Sequence, residues 1–453
     1  MLENVKQIAK KNRALLEEYL RLESVSAQGR QMTETAEMVA RIIEDKGGQA
    51  EILHLADTAA PPVVYGEFLA GPGGNAEKTL LFYNHYDVQP EDPIDEWETD
   101  PFVPTERDGK LYCRGVSDNK ANFIARINAI EYWSEQAGGL PCNVKFLLEG
   151  EEEIGSPHIN AYLAQYAEKF AADACIWESG GKDAAERMEL SCGVKGIAYF
   201  DLAVRTAATD IHSSNAAVID NAAWRLTQAL ASMRNADNEI LIDGFYDLMI
   251  EPTDLEYDVL AEMPFDRQAL RDTYGVKGPF ITDNLPYSEK EALIFYPTLT
   301  ISGLLSGYGG SGAKTVLPAQ AKAKLDVRLV PGYSPEAVEQ LLRQHLDKHG
   351  FKDVELTRLA GVMPFRTDLS SSFIEVVTRA AQKTYGEESV VVMPNSAGTG
   401  PMYSFGQYLN VPIVGSGTEY YNSAPHAPNE HIRLTDYYQG IQHMIHLLAG
   451  FGQ

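Results

Sequence analysis

Across 453 residues, 64 acidic side chains outnumber 38 basic ones and leave a formal net charge of −26. That balance argues against a nucleic acid or an anionic membrane as partner, since both reward basic patches, and no apolar run approaches the length of a membrane span. The length suggests about two or three domains, and an apolar content of 44% is ample for their cores.

Residues 2–22 mix Lys, Arg and Glu with apolar residues at helical spacing, which predicts an amphipathic helix rather than a signal peptide. A helix near 33–47 follows, then strands at 50–55, 63–69 and 79–84. A strand at 110–114 precedes a helix over about 117–135, and short apolar strands at 143–149 and 173–177 flank a helix near 157–170. Strands alternating with helices predict an α/β fold: a mixed, mostly parallel sheet with helices on both faces.

Near Gly193 the pattern changes. Residues 196–205 alternate apolar and polar, as a half-exposed strand does. A helix at 221–234, strands at 298–304 and 319–330, a helix at 334–348 and a strand at 354–359 complete the unit. That order reads as an inserted ferredoxin-like α+β domain, with residues 237–297, rich in Asp, Tyr and Pro, as a long insertion within it. After about Val362 the first pattern returns, with a helix at 371–385, strands at 390–393 and 411–414 and a final helix. The expected division is 1–193 and 363–453 for one domain and 194–362 for the inserted one. Cys113, Cys142, Cys175 and Cys192 form no Cys-x-x-Cys pair and read as reduced, mostly buried thiols of a cytoplasmic protein.

The chemistry-bearing residues fall at strand ends. His85 closes the 79–84 strand, the Glu152–Glu153 pair follows the 143–149 strand, and Glu178 follows the 173–177 strand. Asp118 opens a predicted helix, and His426 sits between two prolines in a late loop. In open α/β sheets ligands bind at the carboxyl ends of strands. Taken singly, Asp118 reads as a helix cap, the run Glu151-Glu152-Glu153 as a solvated turn, and His426 as a surface histidine. Together, two imidazoles, three ligand carboxylates and a spare carboxylate suit a pair of divalent metals with a general base.

His-x-Asp after a strand, Gly-x-x-Asp-x-Lys, Glu-Gly-x-Glu-Glu-x-Gly-Ser and a late loop histidine resemble the dinuclear zinc exopeptidases. Those include enzymes of the cytosolic non-specific dipeptidase, carnosinase, acetylornithine deacetylase and succinyl-diaminopimelate desuccinylase types. The resemblance implies a two-metal amide hydrolase acting on dipeptides or short peptides with a free carboxylate, N-acyl amino acids being the alternative substrates. A catalytically silent metal-binding homologue is the reading from another class. The resemblance makes Asp118 a bridging carboxylate, with His85 and Glu178 on one metal and Glu153 and His426 on the other. The metals would be zinc, with manganese or cobalt as alternatives. Asp87 would order the His85 imidazole, and Glu152 would be the general base.

In the inserted lid and dimerisation domain, His212 matches a histidine that steadies the oxyanion from the partner subunit of a homodimer. Arg328 and Thr315 match groups that hold the substrate carboxylate, a task a guanidinium suits through its bidentate fork. Asn395 and Gly398 lie in a loop that reads equally as a substrate-approach segment or a structural turn. Two departures stand out. Asn119 replaces a second Asp of carnosinase-like members, and Asn395 is the nearest polar residue where they place a carboxylate for the substrate's amino group.

Overall fold

The run Leu80-Leu81-Phe82-Tyr83 has no polar alternation, and all four residues are fully buried at the centre of a sheet covered on both faces. In the computed structural model, which describes residues 1–56, 58–136 and 138–453, these residues belong to the strand Asn75–His85. It runs parallel to Cys142–Glu149 on one side and to Ala174–Trp177 on the other. Antiparallel Val63–Phe68 and Gln49–Leu53 extend the first side. On the second, Ile413–Gly415 pairs parallel with Ala174–Trp177, and Met188–Ser191, Gly181–Lys182 and Glu419–Tyr420 follow. With Val390–Met393 on Met188–Ser191, the described residues build a mixed ten-stranded sheet.

Register decides what this sheet presents. His85 lies opposite Glu149 and Phe82 opposite Ile176, so His85, Glu152–Glu153 and Glu178 leave the sheet at the same edge. The helices Leu2–Lys11, Ala121–Gln136, Ser372–Tyr385 and Leu434–Phe451 pack as one layer, and Ile159–Phe170 packs with Met402–Leu409. Phe82, Phe123, Phe146, Ile127, Ile441 and Leu448 belong to one continuous core.

Two expected helices differ. The 2–22 helix is broken at Asn12, whose side chain donates to Asn128 Oδ1 and Glu131 Oε2 at 2.6 Å each. The 117–135 helix begins only at Ala121; Asp118 and Asn119 keep non-helical backbone angles in the preceding turn. Asp118 is therefore not that helix's cap.

The inserted unit alternates as expected: Gly196–Arg205 buries every second residue. Its four strands are antiparallel, in the order Thr300–Ser306, Gln320–Leu329, Gly196–Arg205, Glu355–Val362, the ferredoxin-like arrangement. Two helices complete its core. Ala222–Ser232 is capped by Asn221 Oδ1, which accepts from Ala223 N, and Pro335–Lys348 by Ser334 Oγ, which accepts from Ala337 N. The 237–297 insertion contains the helices Asp254–Glu262, Arg267–Tyr274 and Glu289–Ile294, with a small cluster of Leu260, Ile294 and Phe295. By contacts the chain divides into 1–193, 366–394 and 401–453 as one unit, and 194–365 with 395–400 as the other.

Candidate metal centre

Asp118 lies between two imidazoles. His85 Nε2 is 2.9 Å from its Oδ1, and His426 Nε2 is 3.1 Å from its Oδ2. His85 Nε2 also lies 3.7 Å from Glu178 Oε2, and His426 Nε2 lies 3.0 Å from Glu153 Oε2. The sequence thus brings His85, Asp118, Glu153, Glu178 and His426 to one place. Two sets of ligand atoms, from His85, Asp118 and Glu153 and from His85, Glu152 and Glu178, each lie within 4.8 Å of one another. Glu152, expected as the spare carboxylate, is thus as close to His85 and Glu178 as a ligand would be.

Fully buried Asp87 holds the arrangement from behind. Its Oδ1 is 3.3 Å from His85 Nδ1, which also lies 3.0 Å from the Asp87 carbonyl. Its carboxylate accepts the backbone N–H groups of Glu152 and Glu153 at 3.3 and 3.0 Å. Asn119 is engaged elsewhere: its Oδ1 accepts from Asn84 Nδ2 at 3.0 Å, and its own amide nitrogen faces Glu178 Oε2 at 3.5 Å.

The electrostatics of the cluster call for cations. Burial pushes Glu152 up to about 8, with the charges of Asp118, Glu153 and Asp87 adding to the rise and His85 opposing it. Burial and then Glu152 hold Glu178 well above the usual carboxylate range. Burial opposes a charged His85, but hydrogen bonds to Asp118 and Asp87 outweigh it and raise its pKa well above the ordinary value. Hydrogen bonds to Asp118 and Glu153 raise His426 to about 10. Glu153 accepts from Gln89 Nε2 at 3.0 Å through Oε2, while its buried Oε1 has no hydrogen-bond partner. An orphaned buried carboxylate oxygen among nitrogen and oxygen donors fits divalent cations of the zinc or manganese kind.

Two supporting residues escaped the sequence reading. Buried Glu430 accepts from the backbone N–H groups of Gly115 and Ser117 at 2.8 Å each, from that of Asp118 at 3.1 Å and from Arg114 Nη1 at 2.7 Å. It pins the turn that carries Asp118, although a Glu after Pro428-Asn429 reads as solvated. Buried Arg126 donates to the Tyr83 and Trp177 carbonyls and to Asn84 Oδ1 at 2.6 Å each, tying together the strand ends that carry His85 and Glu178. An arginine inside the apolar 121–130 helical run was the available signal.

The inserted unit brings together His212 and Thr315 and carries Arg328. His212 is exposed, with Nδ1 2.9 Å from Ser214 Oγ and Nε2 3.4 Å from Thr315 Oγ1. Half-exposed Arg328 donates from Nη1 to Thr399 Oγ1 at 2.8 Å. Asn395 is buried; its Nδ2 donates to the Ser396 carbonyl at 2.7 Å, and its Oδ1 has no partner. The Gly398 carbonyl accepts from Lys195 N at 2.8 Å. The buried Lys195 ammonium donates to the Tyr296 and Ala292 carbonyls at 2.6 and 3.1 Å, and burial together with Arg328 lowers it to about 7.

Comparison with known proteins adds three findings. The profile of peptidase family M20/M25/M40 matches residues 81–450. The chain is 30% identical over 401 residues to the mouse (Mus musculus) Beta-Ala-His dipeptidase, covering 84% of this chain and 78% of that protein. Its structure is similar to that of the M20 family metallo-carboxypeptidase Sso-CP2 from Sulfolobus solfataricus, with a TM-score of 0.87 and 39% identity, over 97% of this chain and 99% of that one.

Proposed function

The chain belongs to peptidase family M20/M25/M40 and is a metal-dependent peptidase; from that premise, we propose that it cleaves the amide bond of dipeptides or short peptides with a free C-terminal carboxylate. The observation that carries this reading is the convergence of His85, Asp118, Glu152, Glu153, Glu178 and His426 on one sheet edge.

His85, Asp118 and Glu178 would hold one divalent ion, and Asp118, Glu153 and His426 a second, with zinc the leading choice and manganese or cobalt the alternatives. When bound, the ions would supply Lewis-acid polarisation of the scissile carbonyl and acidification of the attacking water. Glu152 takes a proton from that water at its carboxylate and delivers it to the leaving amine nitrogen. In the metal-free protein burial raises this carboxyl to about 8; bound cations would oppose that rise and favour the carboxylate that accepts the proton. Asp87 keeps the His85 ring in place and fixes the backbone of Glu152 and Glu153. Arg328 and Thr315 receive the substrate carboxylate, and the Asn395–Gly398 segment lies along the substrate. His212 of the partner subunit steadies the oxyanion in a homodimer.

A dimer is supported by the Thr300–Ser306 strand, which ends its sheet with Ile301, Leu304 and Leu305 exposed. Such an unpaired apolar edge invites a second chain. A cytoplasmic setting is supported by four buried, unbridged cysteines.

The test is a substrate panel with metal-loaded protein: glycyl dipeptides, their C-terminal amides, and N-acetyl and N-succinyl amino acids. Dipeptides are expected to turn over fastest, and Arg328→Ala to impair acids far more than amides, because a charge-assisted pair is lost. Faster hydrolysis of N-acyl amino acids would replace the peptidase reading with a deacylase one.

A further inference from the structure

A second carboxylate stands beside the metal centre without a task in the mechanism above. Glu419 opens the short strand Glu419–Tyr420, which pairs parallel with Gly181–Lys182, just beyond Glu178. Its backbone N–H donates to the Gly180 carbonyl at 3.3 Å. The segment before it is gripped from two sides. Thr418 donates from its backbone N and its Oγ1 to Asn122 Oδ1 at 2.9 and 3.0 Å, and Asn122 Nδ2 donates back to the Ser117 carbonyl at 3.3 Å. A Cβ on Gly417 would meet Gly180 O at 2.6 Å, and one on Gly181 would meet Glu419 O at 2.2 Å. Glu419 is therefore lodged between the turn that carries Asp118 and the strand end that carries Glu178.

Its carboxylate is poorly served there. Oε1 is buried and has no hydrogen-bond partner, and a backbone hydrogen bond from Gly180 favours the ionised form. The charges that act on it are Asp118 and Glu430, which oppose ionisation alongside burial, and His85, which favours it. Basic side chains nearby are committed elsewhere: Lys182 donates to Asp436 Oδ1 and Gln439 Oε1 at 2.8 and 2.6 Å, and Arg433 pairs with Glu186 and Asp436. Among the described residues no cationic side chain is paired with Glu419. Burial raises this carboxyl to about 8, so it rests protonated near neutral pH, and an arriving cation would favour its ionised, acceptor-only form.

Resting on the peptidase reading, we infer that Glu419 receives the free α-ammonium group of the substrate's N-terminal residue, so that this site selects peptides with an unblocked amino end. The chemistry matches: an ammonium offers three donors to an acceptor-only carboxylate. Asn395 carries no charge for this task, and its amide nitrogen donates to the Ser396 carbonyl.

The experiment compares glycyl-leucine with N-acetyl-leucine, which has the same scissile bond and carboxylate but a hydrogen where the amino group was. N-acetyl-leucine is measured as a substrate where it turns over and as a competitive inhibitor where it does not. Metal-loaded wild type should favour glycyl-leucine. Glu419→Gln should lose roughly 10- to 100-fold in kcat/KM for glycyl-leucine, with N-acetyl-leucine unchanged, metal content equal to wild type and the circular-dichroism melt retained. Glu419→Asp, which keeps the charge, should preserve more of the preference than Glu419→Gln. Equal losses for both ligands, or loss of a metal ion in Glu419→Gln, would overturn the assignment in favour of a structural or metal-ligating role. A wild type indifferent to the amino group would also overturn it, without any variant, and would leave the peptidase reading intact. Failure of wild type to act on either compound or on any dipeptide would instead remove the peptidase reading and this inference with it.

Discussion

Glu152 and Glu153 are adjacent and chemically identical, yet their surroundings set them apart. Glu153 is held by Gln89 and faces His426 at 3.0 Å. Glu152 donates its backbone N–H to Asp87, and its carboxyl is pushed up to about 8 by burial first. The difference yields a direct prediction. Glu152→Gln should retain the metal complement of wild type and lose about 10²–10⁴ in kcat, because only proton transfer is removed. Glu153→Gln should lose metal, read by elemental analysis after dialysis. The opposite pattern would reverse the two roles. The presence of the pair at a strand end was legible in the residue pattern, but the pairing of Glu153 with His426 was implied only by the family resemblance, because one residue of phase in the turn decides it.

At the level of elements, the turn before the Ala121–Gln136 helix is the decisive piece. The residue pattern suggested that Asp118 opens the helix, but the helix starts three residues later. Here the backbone amides of residues 115, 117 and 118 turn onto the Glu430 carboxylate instead. Because Glu430 lies four residues after His426, these contacts link the Asp118 turn to the segment that carries His426. Glu430→Gln would leave Arg114 without its buried counter-charge and place an amide N–H₂ against backbone donors. Breaking a buried pair of this kind costs about 3–5 kcal/mol. The expected outcome is a lower melting temperature and weaker metal retention in equilibrium dialysis. A variant that binds metal as wild type does would show that the Asp118 turn holds itself.

At the scale of the whole molecule, the net charge of −26 has a buried component. Burial raises Glu149 and Glu152 to about 8 and Glu178 well above its ordinary value of 4.5. In the metal-free protein the folded state keeps the Glu149 and Glu152 protons up to about pH 8, whereas the unfolded chain has released them above about 4.5. Their contribution to stability is therefore complete below about 4.5 and is lost as pH rises through about 8. Metal ions compete with the same protons, so their stabilising effect grows with pH. The melting-temperature gap between metal-loaded and chelator-treated protein should be wider at about pH 8 than at about pH 5.5; a constant gap would mean that the metal does not engage these carboxyls. The proposed homodimer gives a second prediction at this scale. Inactive His212→Ala and Glu152→Ala homodimers, mixed with verified subunit exchange, should recover about a quarter of wild-type activity, since half the dimers are mixed and each carries one intact site. Absence of recovery would mean that His212 does not act across the dimer.

The chain by itself determined the α/β class, the inserted antiparallel unit and the identity of the clustered acids and histidines. Strand period and strand ends are local properties, and in a parallel sheet local ends converge on one edge. Tertiary structure alone decided how that edge is supported. Glu430 reaches the Asp118 amide across 312 residues, and Arg126 reaches the Trp177 carbonyl across 51. Glu419 became visible only as a buried oxygen without a partner. Such contacts have no sequence period, because a buried polar group is satisfied by whatever the fold places beside it, from any distance along the chain.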